Sequence, residues 1–289
     1  MYQSIEELCQ LESEKNIPLW KIVQLDDCNE RAKTEQVAFE EMKQIYIAMK
    51  DSNSNYDGRR KSNSGLVGGE AQKYRAYMDG GHSLVGSFVG AVIEKALRIA
   101  ESNACMRRIV AAPTAGSCGV LPAVFLSIQE EKSFSDDKMT EALYVAAGVG
   151  GVIASRASLA GAEGGCQAEI GAASAMAAAG LTYLLGGDAR ACANASALAL
   201  KNLLGLACDP VAGLVEVPCV KRNVMGAVNA VTSAELTMAG IESRIPADEV
   251  FDAMNSIGKT MSDTIKETAQ GGLAATATGQ QIANSLKMS

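Results

Sequence analysis

The sequence predicts an all-α fold, and three observations carry that reading. From about residue 83 onward, runs with apolar residues at helical spacing alternate with Gly-rich joints. β-Branched alternation of the kind strands need is scarce. Aromatics make up only 4% of a chain that is 48% hydrophobic, so Ala, Val, Leu, Ile and Met must fill the interior, with Gly at close contacts. Such a core packs helices tightly, and no strand–helix alternation demands a parallel sheet.

A length of 289 residues lies near the upper limit for one hydrophobic core. The expectation is one helical catalytic domain over residues 1–289, with the helices of residues 1–60 free to pack as a subdomain. Residues 1–50 read as two helices, Pro18 standing where a helix can begin and the charged run NERAKTEQVAFEEMKQIYIAMK following it. DSNSNYDGRRKSNSGLVGG, residues 51–69, interrupts the pattern and reads as a functional loop or, more plainly, a domain boundary.

Five helical runs follow: SLVGSFVGAVIEKALRIAES, GVLPAVFLSIQEEKS, DDKMTEALYVAAGVGGVIASRAS, AEIGAASAMAAAGLTYLLGG and ARACANASALALKNLLG. Gly86 with Gly90, and Gly148 with Gly151, are spaced to let helix backbones approach closely. The stretch from Ile170 to Gly187 is about 18 residues long, at the short limit for crossing a bilayer. It is mostly Ala and Gly, and Arg156, Glu163 and Glu169 break the neighbouring runs, so a buried helix is expected and no membrane span. The tail resumes with the helical pattern DEVFDAMNSIGKTMSDTIKE and ends in the joint TAQGGLAATATGQQ.

The net charge of -7 and the lack of a long basic run exclude nucleic acid as a partner. MYQSIEELCQLESEKN is acidic and lacks an apolar core, so no secretory signal is expected and the cytoplasm is the expected location. In that reducing compartment the eight cysteines do not read as a disulfide framework. No CxxC pair occurs, and the single His82 excludes zinc sites built on several histidines.

Gly and Pro cluster with polar side chains in SNSGLVGGE, DGGHSLVG, AAPTAGSCGVLPA, GAEGGCQAE and CDPVAGLVEVPCVKRN. Irregular backbone between buried helices needs a reason, because its N–H and C=O groups have no helix ladder to satisfy them. Cys166, Cys208 and Cys219, with 41 and 10 residues between them, sit in such segments. Cys192 lies in an Ala-rich helix, Cys9, Cys28 and Cys105 lie on helix-like or charged segments, and Cys118 is intermediate. Three thiolates converging from loops can hold an iron–sulfur cluster with one iron left for Lewis-acid chemistry. Buried structural thiols are the commoner fate, and spacing alone does not choose between them.

His82 reads as a structural residue or as a proton-transfer group. Lys221 and Arg222 read as a solvated pair or, beside Cys219, as a carboxylate-recognising one. SNSGLVGGE fits neither GxGxxG nor GxxxxGK[ST], so nucleotide binding is not expected.

Through these five stretches, and over most of its length, the sequence resembles the alpha chain of the two-subunit iron–sulfur L-serine dehydratases. The resemblance implies an oxygen-sensitive 4Fe-4S cluster held by Cys166, Cys208 and Cys219, and β-elimination of L-serine to pyruvate and ammonia. It also implies a separate beta chain bearing a regulatory domain. No Cys follows Cys219, so the fourth iron would be open to water or substrate. Under this reading Ser64, Pro113, Thr114, Gly116 and Ser117, with Lys221 or Arg222, are the expected substrate-binding residues. His82 is the candidate for proton transfer or substrate positioning. A related iron–sulfur lyase acting on L-cysteine or another small amino acid, and a non-catalytic helical subunit, are the alternatives. No lysine stands in a context resembling a pyridoxal phosphate site.

Overall fold

A computed structural model describes residues 2–287 of the chain. Three helices, α1 (Ile5–Lys15), α2 (Leu19–Arg31) and α3 (Glu35–Ser54), occupy the region where the sequence predicts two. The missed break lies inside the charged run. Ala32 takes a left-handed φ of 50°, and the Thr34 side chain then accepts from the Val37 N–H to start a new helix. Pro18 stands immediately before α2, as its fixed φ allows.

The chain continues through α4 (Glu70–Asp79), α5 (Gly86–Ala104), α6 (Val120–Lys132), α7 (Asp136–Arg156) and the short turn α8 (Gly161–Gly164). After it come α9 (Ala172–Leu184), α10 (Ala189–Lys201), α11 (Cys219–Met238), α12 (Ala247–Thr260) and α13 (Ala277–Lys287). The described residues form no strand, and one isolated bridge joins Cys208 to Lys266. The fold is all-α, as the sequence predicts.

Helix α9 is the axis of the core. Its residues from Ala172 to Thr182 are all buried, and it packs against α6, α7, α10 and α11. A helix that is small and apolar on every side can be enclosed by neighbours on every side. At Gly180 a Cβ would collide with Phe125 and lie 3.1 Å from the Ala142 carbonyl oxygen of α7. The stretch expected to be a buried helix is one, and among the described residues no helix is long and apolar enough to cross a membrane.

Ile5, Leu8, Leu19, Ile22, Tyr46 and Met49 enter the same buried cluster as α9. Asp248, in the first turn of α12, accepts from the backbone N–H groups of Ile5 at 2.8 Å and Glu6 at 3.1 Å, holding the start of α1. The glycine expectation holds at Gly148, where a Cβ would stand 2.6 Å from Val23 of α2. Gly86 differs: nothing lies within 4 Å of its Cβ position, and its φ of +70° makes it a backbone joint at the first residue of α5, not a packing contact.

Three of the five irregular segments lead into α6, α9 and α11, and the other two lead into α4 and α5. Residues 262–276 run back across the stretch containing Cys208, through short 3-10 turns.

Candidate active site

Cys166 precedes a wide π-turn, Gln167–Gly171, that leads into α9. Gly165 makes the approach possible with a φ of 75°, at a position where a Cβ would lie 2.9 Å from the Leu206 carbonyl oxygen. Cys208 is fixed by its own backbone, its N–H donating to Ile265 at 2.8 Å and its carbonyl accepting from Glu267 at 2.7 Å. Cys219 is the first residue of α11, immediately after Pro218. All three are free thiols; Cys166 and Cys208 are buried and Cys219 is half-buried.

The Gln167 N–H donates to the Leu206 carbonyl at 3.1 Å, setting the Cys166 segment beside the Cys208 segment, and the three thiols lie near enough for charge on one to raise the pKa of another. Burial pushes the Cys166 thiol up to about 11, against the lowering field of Arg222. It pushes Cys219 up to about 12, with the Cys166 and Glu169 charges adding to it. Cys208 is raised well above the ordinary thiol value, again chiefly by burial.

Among the described residues no three His, Cys, Asp or Glu side chains close on one point as a single ion would require. A four-iron cluster is wider than one ion and takes thiolates, so two buried thiols and one half-buried thiol within reach of one another have the donor chemistry for it. Gly161 leaves room beside them: a Cβ there would stand 3.0 Å from Cys208 Sγ and 2.6 Å from Glu169 Oε2. Cys118 belongs elsewhere. It is fully buried, with its sulfur 4.0 Å from the Ile99 carbonyl oxygen, and burial pushes it up to about 12.

Both predicted basic residues have partners within the chain. Arg222 donates to the Ala207 carbonyl at 2.7 Å and to Asp209 at 2.8 Å, and its charge acts on the Cys166 thiol. Burial opposes its charge, yet Cys166 and Asp209 together raise its pKa. Lys221 is exposed and pairs with Glu70 at 2.5 Å. Ser64 donates to Glu216 at 2.5 Å and Ser62 to the same oxygen at 2.9 Å, so the loop before α4 is tied to the segment between Cys208 and Cys219.

The segment containing Pro113, Thr114, Gly116 and Ser117 does meet the cysteines. Thr114 and Ser117 cap the 3-10 turn Ala115–Ser117. Thr114 Oγ1 donates to Glu169 Oε1 at 2.6 Å, and Cys208 Sγ lies 3.8 Å from Glu169 Oε2. Burial raises the pKa of Glu169; the Thr114 hydrogen bond opposes this, the Glu267 charge adds to it and Cys208 lowers it. Asn223 ties the turn to α11: it accepts from the Gly119 N–H at 2.7 Å and donates to the carbonyls of Gly116 at 2.7 Å and Cys219 at 2.9 Å.

His82 lies apart on an exposed turn between α4 and α5. Tyr77 donates to its carbonyl at 2.9 Å and its ring lies tilted 5.7 Å from the imidazole, and no described contact joins His82 to the cysteines. Sequence reasoning missed Glu169, Asn223, Glu216 and Asp209 as members of the site. Each is a polar residue inside one of the Gly- and Pro-rich stretches, which is the signal that marks them.

The family described as "Serine dehydratase alpha chain" matches residues 14–274. The "Probable L-serine dehydratase, alpha chain" of Bacillus subtilis (strain 168) is 44% identical over 282 residues, covering 98% of this chain and 94% of that protein. The "L-serine dehydratase, alpha chain" of Peptoniphilus asaccharolyticus is 38% identical over 283 residues, covering 98% and 97%. The "L-serine dehydratase TdcG" of Escherichia coli (strain K12) is 44% identical over 181 residues, 62% of this chain and 40% of that longer protein.

Proposed function

Because the chain belongs to the serine dehydratase alpha chain family, we propose that it is the cluster-bearing half of an L-serine dehydratase, converting L-serine to pyruvate and ammonia. What supports the cofactor part of this reading is that Cys166, Cys208 and Cys219 are free thiols near enough for their charges to act on one another. These three thiolates would hold a 4Fe-4S cluster, which when bound supplies a Lewis acid for the departing substrate hydroxyl.

The chain's own residues bind and orient. With Lys221 on Glu70 and Arg222 on Asp209, the substrate carboxylate falls to the backbone of the Thr114–Ser117 turn, whose hydroxyls are taken up by Glu169 and by the turn itself. Arg222 instead stabilises the Cys166 thiolate and fixes the backbone on either side of Cys208. Ser64, through Glu216, holds the segment between Cys208 and Cys219 in place. Loss of the α-proton and the hydroxyl gives aminoacrylate and water; the aminoacrylate tautomerises to the imine, which water hydrolyses to pyruvate and ammonia. His82 has no part in this proposal, since its exposed turn shares no contact with the cysteines.

The names of the alpha-chain relatives support a separate beta chain as partner, and a cytoplasmic location suits thiols that must stay reduced. The test is iron and acid-labile sulfide per chain after anaerobic purification, for the natural protein and for Cys208→Ser, with pyruvate formation from L-serine measured in the presence of the beta chain. Near-equal iron and sulfide, lost in the variant, is the expected result. Absence of both after reconstitution overturns the cluster, and absence of pyruvate from a loaded complex overturns the activity.

A further inference from the structure

Among the described residues, Glu169 is the carboxylate that touches both the Thr114 turn and a cysteine of the trio. It is half-buried, and among the described residues no Lys or Arg pairs with it. The nearby cations have other partners, Arg222 with Asp209 and Lys221 with Glu70. Glycines flank both of its oxygens: a Cβ at Gly116 would stand 3.0 Å from Oε1, and one at Gly161 would stand 2.6 Å from Oε2. Larger residues at those two positions would close the space around the carboxylate.

Its hydrogen bonds are also unequal. Oε1 receives the Thr114 hydroxyl at 2.6 Å, while Oε2 has the Cys208 thiol at 3.8 Å. Among the described residues no nitrogen or oxygen donor reaches Oε2, so half of the carboxylate's hydrogen-bonding capacity is unmet. A partly desolvated carboxylate in that position calls for a positive donor. An amino-acid substrate carries one, fixed at the carbon next to its carboxylate.

We propose that Glu169 receives the α-ammonium group of the substrate and thereby selects a 2-amino acid over the same molecule without its amino group. This rests on the dehydratase reading above. Thr114 then serves both ends of the substrate: its hydroxyl orients Glu169, and its turn offers donors to the carboxylate.

The experiment uses the cluster-loaded complex with the beta chain, comparing the natural chain with Glu169→Gln. It reads the KM for L-serine, competitive inhibition by 3-hydroxypropanoate (serine without its amino group), and iron and sulfide per chain. Expected for the variant are a KM raised about tenfold to a hundredfold, the worth of one charge-assisted hydrogen bond, with inhibition and iron content unchanged. An unchanged KM overturns the proposal, as does equal weakening of serine and 3-hydroxypropanoate, or loss of iron, which would make Glu169 a support for Cys208. If Glu169→Gln does not fold, Glu169→Asp decides by the same ratio: weaker L-serine with unchanged 3-hydroxypropanoate supports the proposal, and equal weakening overturns it. A loaded natural complex that does not turn over L-serine overturns the dehydratase reading, and this proposal with it.

Discussion

The Arg222 guanidinium and the Asp209 carboxylate pair at 2.8 Å, joining the start of α11 to the residue after Cys208. Asp209 is buried and also accepts from the Leu273 N–H at 2.8 Å, so one side chain holds a cysteine segment, a helix and the returning tail. Removing one member of a buried pair strands the other charge. Asp209→Ala is therefore expected to lower stability by about 3 kcal/mol, read from urea unfolding. A loss within 0.5 kcal/mol, about what an exposed pair contributes, would show that the pair is not structural.

Glu101 does at a distance what a capping residue does locally. Buried in α5, it accepts from the N–H groups of Gly69, Glu70 and Ala71 at the start of α4 and from the Tyr56 hydroxyl at 2.6 Å. Glu101→Ala leaves those donors without their acceptor and is expected to cost about 3 kcal/mol. Hydrogen exchange should show the first turn of α4 losing protection before the rest of the chain; uniform loss would contradict a local cap.

Gly180 sets the spacing around α9. Alanine normally gains about 1 kcal/mol over glycine inside a helix. Here the added methyl meets Phe125, fully buried, and the Ala142 carbonyl, so overpacking of about 1–3 kcal/mol is expected to win. Gly180→Ala should melt below the natural protein, and a raised Tm would refute the close contact.

Asp136, at the start of α7, has its carboxyl pKa held below the ordinary 3.8 by the Lys50 hydrogen bond first and Gln129 second. A depressed carboxyl contributes stability above the unfolded pKa and loses it as pH falls through the folded one. Because Lys50 and Asp136 are 41% and 31% exposed, the pair is worth only about 0.5 kcal/mol. Asp136→Asn should therefore be slightly less stable at neutral pH, with the gap closing in acid below 3.8. A gap that persists unchanged at low pH would rule out the charge as its source.

The Ala- and Gly-rich run around residues 170–187 announces a buried helix because small residues on every face leave no solvent side, and α9 is that helix. The break between α2 and α3 was hidden because a single left-handed residue, Ala32, lies within an unbroken charged run. Cys166, Cys208 and Cys219 were legible as a group because Gly and Pro place them outside helix interiors. Glu169 was not, because nothing in GCQAEIG says that its side chain meets Thr114, 55 positions earlier.

By itself the sequence determined the helical class, the loops that interrupt it and the three cysteines they carry, since periodicity and turn chemistry are local properties of the chain. Only the tertiary structure decided that Lys221 and Arg222 are taken up by Glu70 and Asp209 while Glu169 stands by Cys208 with no Lys or Arg among the described residues paired to it. Charges choose partners by distance through space, and that distance is set by how α5, α9 and α11 pack, not by spacing along the chain.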